Sequence, residues 1–370
     1  MINIKKSILN KAKELGFDIV RFVKPKIKKN DVINLKNFLD KKMHGEMKWL
    51  ENHFEKKINP KKLWKEVKTI VILGLNYTPK NNPLNDNRKK KIANISVYAR
   101  NKDYHEVIGN KLKKLKNWLK IDLNIESKVY VDTSPVFEKS LAQSSGIGWH
   151  GKHTNIVSKK FGSWLFLSEV FLPIEVDTDI SELDNCGTCN KCINICPTDA
   201  FVDNYKLNTK KCISYLTIEY KGPIPLSLRG KIGNKIYGCD DCLSICPWNK
   251  FTSISKENSL LEKSELKNVN LSFFLKFNKE KFEDFFADSP IKRIGWTSFI
   301  RNVLIASANS KNRELLKLIT PLLKHSEPII RGAAIWSMSK LENKKIFKKL
   351  KKNLILKEKN NYVLFELSRV

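Results

Sequence analysis

The sequence predicts a chain of three consecutive parts that mixes α/β and α+β character. An N-terminal α/β domain covers residues 1–175, a cysteine-rich module covers 176–260, and a helical domain covers 261–370. Three observations carry this reading. All eight cysteines fall between Cys186 and Cys246. Before them, apolar strand-like runs alternate with amphipathic helical patterns. After them, short amphipathic helices follow one another with no further cysteine.

The elements follow in order. A helix over about 2–15 leads to the strand-like DIVRFV (18–23), and a helical pattern covers about 31–53. KTIVILGLNY (68–77) is a continuous apolar run, as a strand buried on both faces would be. TPKNNPLNDNRKKK (78–91) is a polar loop and ISVYAR (95–100) a strand. DYHEVIGNKLKKLKNWLK (103–120) has apolar positions at helical spacing. SKVYVDTSP (127–135) is a strand ending in a turn, VFEKSLAQSSG a helix with Gly146 as its C-cap, and GSWLFLSEVFLP (162–173) the last long strand. Beyond the cysteines, 271–286 is aromatic-rich and amphipathic, and 289–310 begins a pair of helices. The small residues Gly332, Ala333 and Ala334 after Pro328 allow close helix packing, and the helical pairs have the pattern of HEAT-type repeats.

The cysteines carry the chemistry. CGTCNKCINICPTDA holds Cys186, Cys189, Cys192 and Cys196, with Pro197 directly after the last. In bacterial ferredoxin-type modules three close thiolates bind one [4Fe–4S] cluster and the Pro-flanked fourth serves the other. A second run, YGCDDCLSICPWN, supplies Cys239, Cys242 and Cys246, and Cys212 lies between the two. The crossing rule assigns Cys186, Cys189, Cys192 and Cys246 to cluster one. It leaves Cys196, Cys212, Cys239 and Cys242 to cluster two. Zinc prefers paired C-x-x-C motifs closing one tetrahedral site, which this run fits poorly. Disulfides need an oxidising compartment, and the N-terminus does not read as an export signal; a cytoplasmic location is expected.

Lys and Arg number 69 against 38 Asp and Glu, a net charge of +31. That excess suggests a polyanionic partner, nucleic acid first, although a Lys- and Asn-rich composition also produces solvated charge. No apolar run approaches the ~20 residues of a membrane helix. No G-x-G-x-x-G follows the first strand and no Walker loop is present, which excludes the usual nicotinamide and P-loop sites. Residues alone therefore lead to an iron–sulfur electron-transfer enzyme with an unidentified acceptor.

VDTSPVFEKSLAQSSGIGWHGKHTN, CGTCNKCINICPTDA, KCISYLTIEYKG and IGNKIYGCDDCLSICPWNK, in this order, resemble epoxyqueuosine reductases, and YARNKDYH and SPIKR...FIRNVLIA match as well. The resemblance covers nearly the whole chain. It implies reduction of the epoxide of epoxyqueuosine to queuosine at the wobble position of tRNA anticodons, using cobalamin and both clusters. Asp132 corresponds to the family's proton donor, with a pKa raised by burial near cobalamin; DTSP also reads as a helix N-terminal signal. Implied cobalamin contacts are Lys57, Ser96, Asp132, His153, Ile156, Leu167 and Ser214. His153 is not expected to ligate cobalt, because the family binds cobalamin without a lower protein ligand. The helical tail resembles the family's tRNA-binding end, where Lys292, Arg293, Arg301 and Arg331 are expected at phosphates of the anticodon stem-loop.

The implied electron source is an unidentified low-potential donor, and a monomer is expected, since one polyanion-binding face needs no symmetry partner. Two alternatives stay open on the residues. One is a corrinoid and iron–sulfur reductase of another substrate, against which the basic tail argues. The other is a non-enzymatic electron-transfer module bound to nucleic acid.

Overall fold

The structure, a computed structural model, describes residues 3–370. Its chain forms two compact units. Unit 1 comprises residues up to Lys80, Asn101–Lys210 and Asp241–Leu261; unit 2 comprises Asn81–Arg100, Lys211–Asp240 and Glu262–Val370. Among the described residues no helix is long and apolar enough to cross a membrane.

Unit 1 is built on a four-stranded sheet of β1 (Ile19–Val23), β2 (Thr69–Asn76), β3 (Lys128–Tyr130) and β4 (Leu165–Leu172), in the order β1-β2-β4-β3. Every neighbouring pair is antiparallel. All eight residues of β2 are buried, as its apolar run predicts, because the strand is central and covered on both sides. Ile70, Ile72, Leu167 and Phe171 face Val136, Leu141 and Ala142 of the segment that leads into and forms helix Glu138–Ser145. Helices α1 (Ile4–Glu14) and α3 (Tyr104–Leu123) also pack against this sheet's strands. Between them in sequence lies α2 (Lys29–Asp40), and Glu138–Ser145 is α4. The first residue of the helix expected over 2–15, Ile2, lies outside the described residues.

Local differences from the sequence reading have local causes. The helix expected over 31–53 stops at Asp40, where Lys42 and Gly45 take left-handed backbone angles (φ 52° and 65°) and break the repeat. Short helices Trp49–Asn52 and Phe54–Ile58 follow. The strand expected over 95–100 is only Asn94–Ile95, because a 3₁₀ turn, Val97–Ala99, takes over at once. Gly146 caps α4 in the left-handed region (φ 79°), as expected. A Cβ there would meet the Ile180 carbonyl at 2.3 Å, so only glycine fits.

Unit 2 centres on α5 (Trp296–Asn309) and α6 (Pro328–Leu341), which pack on each other; α7 (Lys344–Lys357) and α8 (Asn361–Arg369) complete it. Gly332 lets α8 approach α6: a Cβ there would lie 2.3 Å from the Tyr362 hydroxyl. The aromatic segment 271–286 forms two short helices, Leu271–Phe274 and Lys279–Phe285, rather than one, because the Asn278 side chain accepts from the Lys281 N–H (2.9 Å) and starts the second. Phe274, Phe282, Phe286 and Phe299 meet in a fully buried aromatic cluster.

Candidate active site and cysteine centre

Asp132 lies two residues past β3, with a left-handed backbone (φ 45°) uncommon for a residue with a side chain. It is not a helix cap: α4 starts after Phe137 with no side-chain cap. Instead Glu138, the first residue of α4, accepts the Asp132 N–H at 2.8 Å. The carboxylate of Asp132 accepts from the Tyr104 hydroxyl. His105 Nε2 lies 3.2 Å from the same oxygen, Oδ2. Asp103 caps α3 by accepting the His105 N–H (2.9 Å) and bonds the His105 Nδ1 at 2.7 Å. Burial opposes charge on His105, but the hydrogen bonds and charges of Asp103 and Asp132 outweigh it and raise its pKa to about 9. At neutral pH the ring is therefore a cation fixed between two carboxylates. Asp132 itself is 50% exposed. The burial expected of it is not supplied by the protein, because its side chain leaves the sheet edge and gathers polar partners.

Behind this corner the sheet buries further charge. Lys57 is buried, its Nζ donating to the Val136 carbonyl (3.1 Å) and lying 5.5 Å from the Trp49 ring. Burial lowers its pKa against the pull of Glu138, Asp132 and Glu169. Burial and the Asp132 charge raise Glu138 to about 7. Glu169, on β4, is fully buried and neither of its carboxylate oxygens has a hydrogen-bond partner. Its pKa is raised well above the ordinary carboxylate range, first by burial and then by Glu138. Sequence reasoning missed Tyr104, His105, Glu138 and Glu169; the available signal was a lone acid inside the apolar run LFLSEVFL.

The loop before β4 is pinned internally. Asn155 N–H donates to His153 Nδ1 (3.2 Å), which leaves the proton on Nε2, facing Ser163 Oγ at 3.0 Å. Burial drives the His153 pKa down to about 3, so the ring is neutral and both nitrogens are engaged. Its ring therefore pins the loop. Ile156 is buried in the core, Leu167 is half-buried beside it, and Lys139 Nζ bonds the Thr154 carbonyl (2.9 Å).

Four of the cysteines gather in unit 1. Burial raises the Cys192 pKa to about 11, and the neighbouring Cys186, Cys246 and Cys189 add to it. These are the four assigned to cluster one by spacing. Trp149 Nε1 donates to Cys186 Sγ (3.4 Å), and the Ala200 N–H donates to Cys196 Sγ (3.4 Å). Such N–H···S bonds tune cluster potentials. Buried Lys152 clamps the loop, its Nζ reaching Gly187 O (2.8 Å), Cys189 O and Asn190 Oδ1 (both 3.0 Å). Trp149 packs edge-on against Trp248 at 4.9 Å. In the same unit, Lys139 feels the charge of Cys242.

The remaining expected residues belong to unit 2. Ser96 is buried and donates to Asp240 Oδ1 (2.6 Å), a bond that fixes the turn at Val97. Ser214 is half-buried in helix Ile213–Ile218. Lys292 is exposed, and Arg293 pairs with Glu219 at 2.9 Å while 48% exposed. Arg301 is corrected from phosphate ligand to structural pin. It is 1% exposed and donates to the carbonyls of Tyr220 (2.8 Å), Gly222 (2.6 Å) and Leu216 (2.9 Å). Arg331 is likewise held by Glu358, two bonds of 2.8 Å, and by the carbonyls of His325 and Ser326.

Residues 185–249 match the family model described as 4Fe-4S double cluster binding domain, and 57–133 match that described as epoxyqueuosine reductase QueG, DUF1730. The epoxyqueuosine reductase of Cyclobacterium marinum is 39% identical over 295 residues, 79% of this chain and 93% of that protein. A crystal structure of epoxyqueuosine reductase with an epoxyqueuosine-modified tRNA-Tyr stem loop superposes with TM-score 0.88 at 28% identity, over 99% of this chain and 97% of that one. The Bacillus subtilis enzyme, solved with its catalytic aspartate loop swung out of the active site, gives TM-score 0.89 at 28% identity and the same coverage. A cysteine centre and an acid–base corner within one unit define an iron–sulfur oxidoreductase. The chain belongs to the epoxyqueuosine reductase family.

Proposed function

We propose that the chain reduces epoxyqueuosine to queuosine at the wobble position of tRNA anticodons, with Asp132 as proton donor. The observation that carries the reading is Asp132 held between the Tyr104 hydroxyl and the His105 cation, in the same unit as four gathered cysteines. The B. subtilis relative, solved with an aspartate-bearing catalytic loop swung out of its active site, supports a donor on this loop. The relative bound to a modified tRNA stem loop and the +31 charge support the substrate.

The residues of unit 1 fit cobalamin. Tyr77, Phe166, Tyr104 and His105 stack on one another at 4.2, 4.3 and 4.1 Å, an aromatic column that reaches Asp132 through the Tyr104 hydroxyl. Both nitrogens of His153 are engaged within the protein, which leaves the ring no free lone pair for a metal. Lys57, Ile156 and Leu167 remain the nearest candidates to hold the group from this unit, and Ser96 and Ser214 are assigned on resemblance. Bound cobalamin supplies low-valent cobalt able to reduce the epoxide carbon. The protein's part is acid catalysis: Asp132 protonates the departing oxygen, while His105 and Tyr104 orient and polarise its carboxyl group. Two [4Fe–4S] clusters, when bound, would supply single electrons from a low-potential donor. Cys186, Cys189, Cys192 and Cys246 hold one, and by spacing Cys196, Cys212, Cys239 and Cys242 hold the other.

In this reading residues 1–175 carry cobalamin, 176–260 carry the clusters, and the HEAT-like helices of 261–370 bind tRNA, with Lys292 and Arg293 toward phosphate. The test is anaerobic reconstitution with iron, sulfide and cobalamin. TRNA from a queuosine-deficient strain is then incubated with a strong reductant and its nucleosides analysed by mass spectrometry. Conversion of epoxide to alkene is expected; unchanged epoxide overturns the reading.

A further inference from the structure

This inference rests on the reading above. Turning an epoxide into an alkene breaks two C–O bonds, forms a C=C bond and releases the oxygen as water. The balance needs two electrons, here from a low-potential one-electron donor through the clusters, and two protons. Asp132 can hold one proton, so it must be reloaded within each turnover.

We propose that Glu169 and Glu138 form a proton store that reloads Asp132. The placement comes from strand register. Alternate residues of β4 share a face, and Leu165, Leu167 and Phe171 face the core that α4 covers. Glu169 shares that face and is paired across the sheet with Ile72 on β2 and Tyr130 on β3, two residues before Asp132. It is the one acid among these residues, fully buried, and both its oxygens lack a partner.

A buried carboxyl without partners is kept neutral, because desolvation penalises the charged form. Glu138 stands at the start of α4, the helix covering that face, and its Oε1 accepts the Asp132 N–H at 2.8 Å. The charged groups facing Glu169 are Glu138, Asp132 and Lys57; Glu138 also faces Lys139. Both lysines donate to carbonyls, Lys57 to Val136 and Lys139 to Thr154, and neither forms an ion pair with Glu169. Glu138, raised to about 7 by burial and the Asp132 charge, stands between Glu169 and Asp132 as a carboxyl able to gain and lose a proton near neutral pH. Glu169 and Glu138 act through Asp132, not on the substrate.

The test uses the reconstituted holoenzyme on epoxyqueuosine tRNA from about pH 6 to about pH 9, with Glu169→Gln, Glu169→Asp and wild type. E169Q should take up cobalamin and bind tRNA normally, with KM unchanged. Its kcat should fall by ~10²-fold, most steeply above neutral pH, and E169D should recover most of the loss. A wild-type kcat and pH profile in E169Q overturns the proposal. Loss of cobalamin uptake does so too, by making Glu169 a cofactor contact. No turnover by the wild type would instead overturn the functional reading, and this inference with it. Infrared spectra of the wild-type protein decide independently of any variant's folding. A protonated carboxyl band at neutral pH that shifts in heavy water is expected, and its absence overturns the proposal.

Discussion

The sheet behind the Asp132 corner of unit 1 and the helices of unit 2 bury charge in opposite ways. In unit 2, Arg229 is 2% exposed and meets Glu366 in a two-bond fork of 2.8 and 2.6 Å, with its Nε on the Ile224 carbonyl (2.7 Å). Arg301 and Arg331 are satisfied as completely. In unit 1, Glu169 has no partner, Lys57 bonds only a carbonyl, and Glu138 is tied to a backbone N–H. A buried charge with complete partners holds the fold, since desolvation is offset by geometry. A buried charge left short costs stability and persists where chemistry uses it.

The largest effect that can break this comparison is at the corner itself. Asp132→Asn should lower single-turnover reduction by 10²–10⁴-fold, the range of general acid catalysis, with cobalamin uptake and iron–sulfur absorption unchanged. Activity within about tenfold of wild type would remove Asp132 from the donor role. In unit 2 the expected loss is of stability instead. Arg229→Ala leaves Glu366 buried and unpaired and should cost ~3–5 kcal/mol in urea unfolding. The double variant Arg229→Met with Glu366→Leu should come close to wild type, because removing both charges removes the desolvation penalty with the pair. A double variant as unstable as the single one would mean that packing, not pairing, sets the cost.

How much of this was legible in the sequence depends on the range of the interaction. Cluster ligation is written in local spacing, so Cys186, Cys189 and Cys192 could be grouped from the chain alone. The Asp103 cap and the Gly146 terminus are also local. Arg301 was misplaced because a sequence shows a charge and not its partners. Helical spacing sets it among Phe299, Ile300, Val303 and Leu304, on a helix buried nearly all round, which was a sign against a phosphate contact. The break after Asp40 depends on left-handed angles at Lys42 and Gly45 that no apolar pattern announces. Glu169 is a matter of register: its burial requires β2 and β3 to pair on either side of β4, a contact between distant segments.

The next effect is one of pH. His105 has a folded pKa near 9, raised over the ordinary 6.5 by Asp103 and Asp132 against its burial. A raised cationic pKa contributes stability that is fully present below about 6.5 and lost as pH rises through about 9. Turnover should therefore decline in that window as the cation beside Asp132 is lost. His105→Asn should remove this limb and lower activity about tenfold at neutral pH. A wild-type profile flat through pH 9 would separate His105 from the corner. On the tRNA side, Lys292→Ala should weaken binding a few-fold and reduce the salt slope by about one. Arg331→Ala should leave that slope alone and lower stability instead, because its guanidinium is already bound to Glu358.

The smallest expected effect is the most direct measure of the difference between the units. Glu169 has its pKa raised, so its folded state holds a proton more tightly than the unfolded chain does. The sign follows: as pH rises above the unfolded value near 4.5, the unfolded chain gives up that proton first and the fold loses stability. Glu169→Gln, neutral at every pH, escapes this loss. Its melting temperature should match wild type near pH 4.5 and exceed it by about 2 °C or more near pH 8. Arg229→Met with Glu366→Leu leaves Glu169 in place and should show no such divergence over that range. If E169Q and wild type melt alike at both pH values, Glu169 is matched in the fold after all, and the two units bury charge by the same rule.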